Sequence, residues 1–126
     1  MQYVIRAQPR IEELTRFWEL LNDGTIARQE PDGQEIVASM KRAVMSQNMV
    51  EWNETCFCNP PLRHERTTIY DQFFQEMEIK PIGGESVQLK GEPFWDYLQK
   101  TSRSSNLSGG RPVTATQVNY VPLRLL

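Results

Sequence analysis

Cysteine and histidine are scarce in this chain: 126 residues hold two cysteines, Cys56 and Cys58, and one histidine, His64. So few sulfurs exclude a disulfide framework. They also leave a structural zinc site one ligand short, because such a site takes four protein ligands and these residues supply three. A carboxylate such as Glu54 or Glu65, or water, would have to complete it, so no metal and no cofactor are expected. Long apolar runs are missing as well. Met1-Gln2-Tyr3-Val4-Ile5-Arg6 meets a charge, and then Pro9, before a signal-peptide core could develop, and nothing approaches the length of a membrane span. The expectation is a cytoplasmic protein with no membrane contact.

An excess of one charge is the third absence. Fourteen Lys and Arg stand against sixteen Asp and Glu, for a net charge of −2 and a pI near 5.5. That balance argues against a domain held on nucleic acid by neutralising phosphates. Tyr3, Trp52, Tyr70 and Phe74 could stack on bases, but the aromatic-glycine signature of an RNA-recognition module does not accompany them. Gly83-Gly84 and Gly109-Gly110 are isolated pairs without the spacing of a phosphate-binding loop, and read as turns. No internal repeat is present.

What the sequence does hold is the material of one folded domain. Hydrophobic residues make up 39% and charged residues 24%. A chain of this length buries about two-thirds of its unfolded surface without covalent staples. Residues 1–126 are therefore read as a single α+β domain. Gln2 to Ala7 predicts an opening strand. Pro9, Glu12 and Glu13, with apolar residues at Ile11, Leu14, Phe17, Trp18 and Leu21, predict a helix over about 10–23 that Gly24 stops. Asp32 and Glu35 have the spacing of a capping box, opening a second helix that ends near Gln47.

From Met49 to Cys58 the period changes to two: Val50, Trp52, Cys56 and Cys58 share one face. Asn59-Pro60-Pro61 ends that strand, and the β-prone stretch Glu65 to Phe74 predicts a return strand, with helix as the alternative over Tyr70 to Met77. Val87 and Leu89 allow a brief strand, and Pro93 opens a short helix with Phe94, Trp95 and Leu98 inward. Residues 101–112 read as a mobile polar loop and Val113 to Val121 as a last strand. The expected architecture is a mostly antiparallel sheet with helices on one face, in a ferredoxin-like βαββαβ order whose first crossover contains two helices.

The stretch Asn53-Glu54-Thr55-Cys56-Phe57-Cys58-Asn59-Pro60-Pro61-Leu62-Arg63-His64-Glu65 concentrates the reactive residue types. Glu54 falls in the apolar phase of its strand, so either a bulge shifts the register there or a carboxylate faces the interior with a raised pKa; the bulge is the commoner solution. Both cysteines are expected on the packed side, where a thiol is inert, with His64 gripping nothing beyond the proline bend. The expected function is a non-enzymatic binding or assembly module, homodimeric, acting through a sheet face or an exposed edge. The rival is a small metal-dependent or thiol-dependent enzyme centred on residues 54–66, with Glu54, Cys58, His64 and Glu65 as its catalytic candidates. A third reading places a small anionic ligand against Arg63, His64 and Arg66. The basic residues Lys100, Arg103, Arg111 and Arg124 read as a solvated tail.

Overall fold

The computed structural model describes residues 1–57, 59–84 and 87–108, the last six of these by backbone alone. Cys58, the expected strand at 113–121 and the basic residues Arg111 and Arg124 lie outside the described residues. The strands are β1 (Gln2–Pro9), β2 (Val44–Ser46), β3 (Met49–Thr55), β4 (Phe74–Ile82) and β5 (Glu92–Pro93). They form one sheet in the order β4-β1-β3-β2-β5, with every pair antiparallel. The helices are α1 (Leu14–Asn22, entered through a 3-10 turn at Ile11–Glu13), α2 (Gly33–Arg42), α3 (Arg63–Glu65), α4 (Asp71–Phe73) and α5 (Phe94–Ser108); a π-helix, Arg66–Tyr70, joins α3 to α4.

β1 forms for the reason its sequence suggests. Tyr3, Ile5, Ala7 and Pro9 are buried while the residues between them are half-exposed, as a strand covered on one side requires. β3 repeats the pattern, and α1, α2 and α5 cover the side on which these residues point. An aromatic cluster joins the layers: Phe17 of α1 stacks on Phe73 at 4.3 Å, Trp52 of β3 lies 5.2 Å from both Tyr70 and Phe74, and Phe74 meets Phe94 of α5 at 6.1 Å. Gly24 has φ +91 just past the end of α1, the left-handed conformation in which helices commonly stop. Gly33 opens α2 against backbone: a Cβ there would stand 2.0 Å from the carbonyl oxygen of Ile26, so any side chain would force the 26–33 turn apart.

Several boundaries differ from the sequence reading. α2 ends at Arg42, because Val44–Ser46 leaves the helix to pair with β3 through a two-residue turn, Gln47 and Asn48, both at positive φ. The segment expected as a return strand over 65–74 is helical. Thr67 and Thr68, strand-prone by propensity, donate their hydroxyls to the carbonyls of Arg63 and His64 at 2.9 Å, and the buried set Leu62, Ile69, Tyr70 and Phe73 has helical spacing. Strand begins only at Phe74. The βαββαβ expectation keeps its opening strand and the strand from Met49 but loses the strand over 65–74, and residues 54–66 run strand, bend, helix rather than forming a hairpin. Val87 and Leu89 belong to no strand. Pro93 is not helical but sits in the two-residue edge strand β5, where its missing N–H costs no ladder bond. Residues 101–108, expected as loop, continue α5, since Phe94, Leu98 and Ser102 recur every fourth residue on its buried side.

Among the described residues, little covers the far side of the sheet. Asn53 clasps Val87 with two hydrogen bonds, donating to its carbonyl at 2.7 Å and accepting from its N–H at 3.1 Å, which pins the connection after β4 beside β3. Elsewhere on that face Val4, Arg6, Glu51, Glu78 and Lys80 surround a shallow basin of about 450 Å³. No helix among the described residues is long and apolar enough to cross a membrane.

Candidate functional site

The alternation of β3 runs unbroken through Glu54: Ile5 pairs with Trp52, Tyr3 with Glu54 and Gln2 with Thr55. The bulge reading is thereby corrected. The sheet's irregularity lies instead between β1 and β4, at Arg6 and Gln8, where Glu76 has φ +53. Glu54 consequently points inward and is 1% exposed.

That carboxyl has been given partners. Its Oε1 accepts from the Trp52 indole N–H at 2.8 Å and from the Tyr70 hydroxyl at 2.8 Å. The other oxygen, Oε2, has no hydrogen-bond partner among the described residues, and a second buried acid, Glu65, neighbours the carboxyl. Burial pushes Glu54 up to about 8, the neighbouring Glu65 pushes the same way, and the donors Trp52 and Tyr70 only partly offset both. At neutral pH Glu54 is therefore mostly protonated. A neutral Glu54 gives physical sense to two buried acids side by side, since it removes the charge that would face the second acid. Burial likewise holds the Tyr70 phenol well above its ordinary range, with Glu54 adding to the effect.

Cys56 completes the cluster. Its Sγ lies 3.9 Å from Glu65 Oε1 and accepts the Leu62 N–H at 3.3 Å. The local fold explains the encounter: Leu62, at φ +60, turns the chain back over the end of β3, so that α3 places Glu65 against Cys56 and the π-helix places Tyr70 against Glu54. On its outer side the cluster meets a groove of about 340 Å³ lined by Pro31, Asp32, Glu35, Thr55, Cys56, Phe57 and Glu65, with Phe57 88% exposed.

The structure thus brings together Glu54 and Glu65, two of the four catalytic candidates, and the third pairs with Asp32. His64 does not stand ungripped. Its Nδ1 lies 2.5 Å from Asp32 Oδ2, and this contact takes the Asp32 carboxylate from its expected capping role, as α2 has no side-chain cap bond. The fourth candidate, Cys58, lies outside the described residues. The anion-binding trio is divided too: Arg63 and Arg66 line a groove with Pro60, Pro61, Thr67, Asp71 and Ile79, and His64 does not. Among the described residues no group of three or more His, Cys, Asp or Glu side chains is placed to hold a metal ion. Sequence reasoning missed Trp52 and Tyr70 as donors. Trp52 shares Glu54's strand phase and could have been paired with it, whereas Tyr70 is sixteen residues away and reaches Glu54 only through the helix.

Fold and site define an α+β domain with an antiparallel sheet and a two-carboxyl cluster buried between sheet and helix. Set against family models, curated proteins and solved structures, the chain has no match in any of the three.

Proposed function

We propose that the protein is a small, non-enzymatic cytosolic binding module that pairs with a second copy of itself through the open face of its sheet. The observation that carries this reading is the charge arrangement on that face. Arg6 and Glu51 neighbour one another at 3.7 Å, while Glu78 and Lys80, two residues apart on β4, point to the same side and make no ion pair among the described residues. A two-fold axis over the basin would set Lys80 of one copy against Glu78 of the other, which is the self-complementarity an isologous interface needs. The edges are less suited to assembly. β4 is interrupted by the Glu76 bulge and carries Lys80 and Pro81, and β5 is two residues long with a proline, all features that discourage strand addition. Sedimentation should therefore give a dimer that Glu78→Lys and Lys80→Glu each weaken, while an equimolar mixture of the two variants reassociates. A strict monomer at high concentration, or variants that dimerise like the parent, would sink the reading.

The enzyme alternative draws support from one observation, that Cys56 and Glu65 both line the groove beside Phe57. Thiol labelling separates the two readings. A binding module with a packed Cys56, 4% exposed, reacts slowly at pH 7 in the native state, and all labelling there awaits unfolding or comes from Cys58; prompt modification of Cys56 itself would favour the enzyme.

A further inference from the structure

The groove on the other side of the proline bend carries chemistry that the dimer reading does not use. Pro60, Pro61 and Ile79 make one wall apolar, and Arg63, Arg66 and Thr67 supply the polar wall, around a volume of about 360 Å³. Arg63 and Arg66 are three residues apart, the spacing at which helical side chains are neighbours, so two like charges are held together. Arg66 is answered by Asp71, Nε to Oδ1 at 3.1 Å. The guanidinium of Arg63 has no ion pair or hydrogen bond to any described residue. Two cations and one carboxylate leave a single positive charge facing an apolar wall.

The backbone around the groove is unusual in two further respects. Leu62, immediately before Arg63, holds φ +60, a region a branched side chain rarely occupies, and the five residues from Arg66 to Tyr70 are wound as a π-helix. Both conformations are less favourable than ordinary helix, and both are found preferentially where a site requires them. Here they set the direction of Arg63 and the start of the turn that carries Arg66 and Thr67.

We infer that this groove binds a small monoanionic organic acid, its carboxylate between Arg63 and Arg66 and its apolar body on Pro60, Pro61 and Ile79. The charge count favours one negative charge over the two of a phosphate. Guanidinium and carboxylate form paired, charge-assisted hydrogen bonds, and the apolar wall rewards a hydrocarbon body that inorganic ions lack. Because Asp71 stays with Arg66, most of the recognition falls to Arg63.

The test is a titration of the isotopically labelled full chain with benzoate, read from amide chemical shifts, with benzyl alcohol and inorganic phosphate as comparators. Benzoate should give saturable shifts centred on Arg63, Arg66, Thr67 and Ile79, with a dissociation constant on the order of 1 mM, as a ligand this small permits. Benzyl alcohol should not saturate, and phosphate should bind more weakly than benzoate. Arg63→Ala should weaken benzoate about tenfold without unfolding the domain, since its guanidinium holds no described residue in place, while Arg66→Lys, which keeps the charge, should weaken it less. No saturable shift with benzoate, an equal response to benzyl alcohol, stronger binding of phosphate, or an unchanged affinity in Arg63→Ala would each overturn the assignment.

Discussion

Glu54→Gln should make the protein more stable at pH 8 while leaving it little changed near pH 4.5. In the folded protein the Glu54 carboxyl titrates near pH 8, against an ordinary value of 4.5, chiefly because it is buried. Between those two values the folded state holds a proton that the unfolded chain has released, so stability falls as pH rises. The contribution is complete below about pH 4.5 and gone once pH has passed about 8. Across that window the loss is on the order of 3–5 kcal/mol, a large part of what a domain of this size possesses. Glutamine has the same shape and remains neutral. Its oxygen can still accept from Trp52 and Tyr70. Urea unfolding at pH 5, 6.5 and 8 would measure the effect. All other titrating groups are common to both proteins, so the growing gap between their curves isolates Glu54. Parallel curves would show that burial does not hold a proton on Glu54.

Trp52→Ala should cost the most of any single core substitution, about 3–5 kcal/mol for the lost ring and the cavity it leaves. Trp52 is fully buried, its ring lies 5.2 Å from Tyr70 and 5.2 Å from Phe74, and its N–H is one of the two donors to Glu54. Truncation therefore removes the centre of the aromatic cluster and half of the donors to a buried carboxyl. Thermal unfolding followed by circular dichroism should show a fall of well over 10 °C or no cooperative transition. Trp52→Phe, which keeps a ring but no donor, should fall between parent and alanine variant. A loss under about 1 kcal/mol for Trp52→Ala would mean that the cluster is not the centre of the core.

How legible the site was depends on how far apart its parts lie in the chain. The period-two pattern from Val50 to Cys56 was enough to place Glu54, Trp52 and Cys56 on one face, and parity alone identified Glu54 as the anomalous member. Whether the anomaly was a bulge or a buried acid depended on something to receive the carboxyl, and that receiver comes from residues 62–70. The β-prone composition of that stretch pointed to a strand. Its hydroxyls bond back along a helix, and burial of Ile69, Tyr70 and Phe73 against Phe17 and Trp52 overrides propensity, which differs between conformations by only a few tenths of a kcal/mol per residue. Residues 101–108 were misread for a related reason. A serine-rich stretch has weak preferences of its own, and α5 continues because its first turns are anchored on the core by Phe94 and Leu98.

By itself, then, the sequence determined the class: an α+β domain, a strand at the start, a first helix, and a central strand whose apolar alternation an acid interrupts, because each depends on periodicity and turn residues within a dozen neighbours. Only the tertiary structure decided that Glu65 and Tyr70 would meet Glu54, that His64 would turn to Asp32, and that Arg63 and Arg66 would face a proline wall without it. Those encounters join positions up to 32 residues apart. They follow from a helix packing onto a sheet, where the burial of many side chains at once outweighs the local preference of any one segment.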